Sequence, residues 1–203
     1  MTTLPPQRPT VSVPTGILLD GQAGQLLLIV GPRTIRDIMM KVIAGIAEQE
    51  AVNVLDGGCS PENGDSQFDA AHVGWLLRDT PEAFARINLV QAANCSQVLA
   101  LLEQVPSMPV PFAVLDLLNT FYDHTVTCAC GTGAGKIGER KRLLQGCLEN
   151  INRLSRSAGG TVSISPPKLP SKEKTDLFKM VEAASEPYRV QIMVPGPELR
   201  RFY

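Results

Sequence analysis

The sequence predicts one α/β domain with a mostly parallel central sheet and helices on both faces. Two observations carry the prediction. Continuous apolar runs of strand length alternate along the chain with stretches whose apolar residues recur every three or four positions. The runs also stop at Gly, Pro or Asp, residues that end a strand and open a turn. Such regular alternation implies right-handed crossovers, and strands buried on both faces read as unbroken apolar segments.

Residues 1–14 hold four prolines and no hydrophobic period, which reads as a flexible tail ahead of a domain spanning 15–203. Residues 25–30 form the first strand, stopped by Gly31-Pro32. Ile35, Ile38, Met39, Val42, Ile43 and Ile46 then mark one face of a helix. Residues 51–55 are a second strand, ended by Asp56-Gly57-Gly58, with a helix expected over 68–78. A strand at 87–91, a helix at 95–104 and a strand at 111–115 follow. Beyond a glycine-rich loop at 131–138, a long helix over 139–157 is stopped by Gly159-Gly160. A strand at 161–165, a Lys- and Pro-rich loop, a helix at 177–184 and a strand at 188–194 complete the pattern.

The chain of 203 residues is long enough to bury a core, and 44% hydrophobic with 19% charged residues is a globular balance. Its net charge of −1 excludes a generally polycationic nucleic-acid binder, while leaving room for a local basic patch. No apolar run reaches membrane-spanning length, and the first residues lack the plan of a secretory signal. Five cysteines without framework spacing lead to an expectation of reduced thiols and an intracellular protein, cytoplasmic or nuclear.

In a parallel sheet the turns after the strands carry the function. The first, from Val30 to Ile38, stands where a phosphate-binding loop belongs. That loop needs Gly, four residues, then Gly-Lys-Ser/Thr, because backbone amides cradle phosphate while Lys and the hydroxyl hold charge and Mg²⁺. Counted from Gly31, those places hold Arg36, Asp37 and Ile38. A carboxylate replaces the ammonium, and two like charges about 4 Å apart repel by roughly 4 kcal/mol at an effective dielectric near 20. Arg33 and Arg36 either bind an anion in another geometry or are solvated arginines. The stretch Gly131-Thr132-Gly133-Ala134-Gly135-Lys136 lacks both the upstream Gly and the following Ser/Thr, so it reads as a mobile loop.

Taken together these segments resemble the core of the RecA/RadA recombinase family. Gly16-Ile17-Leu18-Leu19-Asp20-Gly21 through Leu28-Ile29-Val30-Gly31-Pro32 is similar to the lead-in to its Walker A strand. Val52 to Asp56 resembles the second strand, with Gly58 where the family has its catalytic Glu. Ile87 to Asn94 resembles the strand and turn that follow, and Phe112 to Asp116 the Walker B strand, with Asp116 at the Mg²⁺-associated position. Gly138-Glu139-Arg140 and Arg153-Leu154 fit the long helix of the RadA branch. Thr161 to Pro167 stands where the family has a strand ending in a sensor glutamine, absent here.

The resemblance implies a RecA-like P-loop-type fold with a vestigial nucleotide site at Gly31, Arg33, Arg36, Asp37 and Asp116. Phosphate binding, Mg²⁺ ligation and water activation each lack their residue, which points to a pseudo-ATPase with no ATP or Mg²⁺ cofactor. Asp116 then caps or pairs, or keeps residual metal binding. The family's DNA-carrying loops correspond to 123–138 and 166–174. Lys168, Lys172 and Lys174 on the second, with Lys136 and Arg140 near the first, are candidate contacts to single- or double-stranded DNA; an ordinary solvated loop is the competing reading. The expected role is an accessory or scaffold subunit in DNA recombination or repair, partnered by an active recombinase or another paralogue subunit, with no membrane. The alternatives are an ATPase or phosphotransferase with an unusual anion loop, and a structural interaction subunit. Cys128, Cys130 and His124 offer three soft ligands where structural zinc wants four, so no metal is expected.

Overall fold

The computed structural model describes residues 26–31, 35–57, 66–105, 110–122, 135–166, 171–185 and 189–193, with backbone alone for 135, 136, 185 and 189–193. Six strands, β1 (Leu26–Val30), β2 (Val52–Asp56), β3 (Ile87–Gln91), β4 (Phe112–Leu115), β5 (Gly160–Ile164) and β6 (Arg189–Met193), form one sheet in the order β3-β2-β4-β5-β1-β6. Every neighbouring pair is parallel, as the unbroken apolar runs predict. The helices are α1 (Arg36–Gln49), α2 (Ala70–Leu76), α3 (Cys95–Gln104), the short α4 (Asn119–Tyr122), α5 (Gly135–Ala158) and α6 (Lys172–Ser185), with a 3-10 turn at Pro81–Arg86.

The two faces are divided by direction of travel. Connections that lead from β1 and β2 toward β3 use α1, α2 and the 3-10 turn, which bury Met39, Ile43, Val73 and Ala83 against Ile29, Val54 and Leu115. Those that return toward β6 use α3 to α6, which bury Val98, Phe121, Leu144 and Leu177 against Leu28, Val114 and Ile164. A right-handed crossover must change face when its direction reverses. The chain leaves β2 toward β3 and leaves β4 toward β5, so the connections part between β2 and β4. The crevice that opens at such a reversal is flanked here by Asp56 and Asp116.

Local chemistry sets the helix ends. The Asp69 carboxylate accepts from the His72 N–H at 2.9 Å and starts α2 two residues later than the periodicity suggests. Asn94 caps α3 by accepting from the Gln97 N–H at 2.9 Å, and the Gln97 side chain accepts from the Ala93 N–H at 2.8 Å. The last carbonyls of α1, Ala47 and Glu48, accept from the Arg86 guanidinium at 3.1 and 2.8 Å. Two boundaries differ more from expectation. α5 begins at Gly135, inside the expected glycine-rich loop, and α6 begins at Lys172, five residues before Leu177. Ser171 starts α6 by accepting from the Lys174 N–H at 3.3 Å, and two ion pairs hold the first turns of α5 against it, so packing overrides weak local propensity.

Close packing between β4 and β5 depends on a missing side chain. Gly160 pairs with Phe112 across the ladder, and a Cβ at residue 160 would lie 2.2 Å from the Phe112 ring. We expect Gly160→Ala to destabilise the fold by about 1–3 kcal/mol through overpacking. Combining it with Phe112→Leu should restore much of the loss, read as the midpoint of urea unfolding; an unchanged midpoint in the single variant would refute the close contact.

Candidate functional site

The carboxyl ends of β1, β4 and β5 are knitted together by backbone and two short polar side chains. β5 lies between the other two strands, and its Thr161, Ser163 and the following Ser165 are all buried. Just beyond β1, the Gly31 N–H donates to the Ile164 carbonyl at 3.2 Å. Just beyond β4, Asp116 adopts the left-handed region at φ 45°, a conformation that Asp tolerates better than most residues. Its N–H donates to Ser163 Oγ at 2.9 Å, its Oδ1 accepts from the Ser165 N–H at 3.1 Å, and the Leu117 N–H donates to the Ser163 carbonyl at 3.0 Å. Asp116 thus fastens the end of β4 to the end of β5.

A second buried carboxylate organises the other side of the crevice. Asp56 is fully buried, and its Oδ2 accepts from Ser66 Oγ at 2.6 Å, the Gln67 N–H at 2.9 Å and the Phe68 N–H at 3.3 Å. Gly57 follows it with the backbone drawn against β4, its N–H donating to the Leu115 carbonyl at 3.1 Å. A side chain at residue 57 would bring its Cβ to 3.3 Å from that same oxygen. Asp56 therefore pins the segment leading into α2 to the end of β2. Asp-Gly at the end of an apolar run was the available sign, and it reads as a turn until the distant donors are known.

The described residues singled out from the sequence are met by neighbouring groups of the protein. Arg36, at the start of α1, turns toward the segment that Asp56 holds: its Nε donates to the Gln67 carbonyl at 3.0 Å and its guanidinium lies 3.4 Å from Asp69. Asp37 is largely exposed, 3.7 Å from His72 Nδ1 on α2. Gly31 and Asp116 lie on either side of β5. Arg33 lies outside the described residues, as do Lys168, His124, Cys128 and Cys130 and the side chain of Lys136. Among the described residues no group of three metal-type side chains occurs.

The basic candidates divide in the same way. Arg140 is not at a solvated helix end: it is buried on α5, with its guanidinium 3.2 Å from Glu173 of α6. Neighbouring Lys141 pairs with Asp176 at 2.9 Å, which holds the Asp176 carboxyl below its ordinary value. Lys172 and Lys174 stand on the first turn of α6 rather than on a loop, Lys172 exposed and Lys174 with its ammonium 5.9 Å from the Tyr122 ring centroid. Burial, and second the charge of Asp116, pushes the Tyr122 hydroxyl well above its ordinary value, so it stays protonated. Among the described residues its oxygen has no hydrogen-bond partner, nor have the buried hydroxyls of Thr120 and Ser165.

The cysteines correct one expectation. Cys147 is a free buried thiol, pushed up to about 12 by burial and second by Glu103, and so unreactive. Cys95 is disulfide-bonded, with its partner outside the described residues, where spacing alone suggested reduced thiols throughout. It opens α3, just beyond the carboxyl end of β3. Pairing of that kind is a matter of tertiary proximity and leaves no trace in cysteine spacing.

No family model and no curated protein matches the chain. Among solved structures it is similar to the flagellar accessory protein FlaH from Methanocaldococcus jannaschii, at 7% identity over 84% of this chain and 71% of that one, with a TM-score of 0.51. It is also similar to the ATP synthase subunit NeqB from Nanoarcheaum equitans, at 13% identity over 94% of this chain and 51% of that one, TM-score 0.53. A third likeness is to a solved ATPase domain, at 9% identity over 88% of this chain and 72% of that one, TM-score 0.50. The chain spans about half the length of NeqB. These likenesses show the fold, a RecA-like α/β core, met here in proteins other than recombinases.

Two outcomes follow from the electrostatics. Removing one partner of this part-buried pair, as in Arg140→Met, should destabilise the fold by up to about 3 kcal/mol because Glu173 loses its Arg140 partner. The double variant Arg140→Met/Glu173→Leu should regain most of that in chemical denaturation, and a double variant as unstable as the single would contradict the account. Asp69 is held below its ordinary value of 3.8, first by the His72 N–H and then by Arg36. Its contribution is fully present above 3.8 and is lost as pH falls through the lower folded value. Asp69→Asn should therefore lose stability at neutral pH and show a shallower acid decline, and parallel pH profiles would count against it.

Proposed function

We propose that this chain is a non-hydrolysing RecA-like paralogue, acting as an accessory or scaffold subunit in DNA recombination or repair. The observation that carries the reading is the chemistry of the turn after β1. Asp37 and Ile38 stand where a hydrolase has Lys and Ser/Thr. The Arg36 guanidinium beside them is engaged by Gln67 and Asp69, and the Gly31 amide by Ile164. Asp37, the residue at the lysine position, leans toward His72 and offers no cation to a phosphate. Asp116, at the place of a metal-associated carboxylate, serves as the fastener between β4 and β5. The residues present do not fit Mg²⁺ with a nucleoside triphosphate, so no hydrolytic step is assigned to them.

A RecA-like core alone does not choose a role, since it occurs in an accessory protein, an ATP synthase subunit and an ATPase domain alike. What favours nucleic acid here is the run of lysines at the start of α6. Lys172 is exposed there, with Lys168 just before it in sequence and Lys174 on the same turn. Such a patch would neutralise backbone phosphates without reading bases, and with no aromatic interleaved among the lysines base stacking is not part of the reading. The protein partner would be an active recombinase or a second paralogue subunit.

Titration with fluorescent ATP and Mg²⁺ should show no micromolar binding; a saturable micromolar isotherm would overturn the non-hydrolysing reading. Single-stranded DNA binding, followed by anisotropy, should weaken steeply with salt. Replacing Lys168, Lys172 and Lys174 with Ala should lower the logarithmic salt slope by about 2, the value for three lost phosphate contacts. Binding that is absent, or unchanged by the substitutions, would favour a structural subunit without a nucleic-acid role.

A further inference from the structure

We draw no further inference here: the strongest candidate, the edge of β3 where exposed Val90 lines an apolar cavity with Leu55, Leu101, Leu102, Val105 and Phe112, is an apolar surface without a partner among the described residues, and nothing in the structure shows what covers it.

Discussion

β5 is held on both edges at its carboxyl end, and the rest of the functional face depends on that constraint. On one side the Gly31 amide bonds to Ile164; on the other, Asp116 and Leu117 bond to Ser163 and Ser165. Because β5 lies between β1 and β4, these contacts set how far the first turn stands from the Asp116 carboxylate. They also explain polar residues in a strand buried on both faces. Ser163 accepts an amide hydrogen that would otherwise be orphaned where the chain turns into the left-handed region at Asp116. An acid that stands at a metal-associated position by resemblance joins the ends of two strands through its backbone amide and Oδ1.

The same logic runs through the flank at α1 and α2. Arg36 and Asp37 look like the remains of an anion site when counted along the chain, and Asp56 looks like a turn residue. In space they belong to one device. Asp56 gathers the amides of residues 67 and 68, which places the Gln67 carbonyl and Asp69 where Arg36 can reach them. Asp69 in turn caps α2, and His72 from that helix meets Asp37. The Arg36 charge is therefore met sideways, by Asp69 at the start of the neighbouring helix. Two of the three guanidinium nitrogens of Arg36 are engaged in this way.

Legibility from sequence followed burial. β1, β2, β4 and β5 were readable because both faces are covered, which demands unbroken apolar runs. β3 was readable as a strand, yet nothing in Ile87-Asn88-Leu89-Val90-Gln91 marked it as the exposed edge; its place follows from pairing with β2 alone. α3 carried its own start signal in Asn94 and Gln97. The start of α6 did not announce itself, because Ser171 is an ordinary polar residue until its hydroxyl meets the Lys174 amide. The candidate site was the least legible part. Arg36 and its acceptor Gln67 are 31 residues apart, and Arg140 and Glu173 are 33, so neither pairing has a local signature.

By itself, the amino-acid sequence determined the class of fold and which residues stand at the counted places of a phosphate loop. Strand and helix periods are imposed by local backbone geometry, and the turn after the first strand carries Arg36, Asp37 and Ile38 at the counted places of Gly, Lys and Ser/Thr however it folds. Only the tertiary structure decided what the remaining charges do. A charged side chain acts through whatever lies within a few ångströms of it, and those neighbours come from strands and helices whose order in the sheet is not their order in the chain.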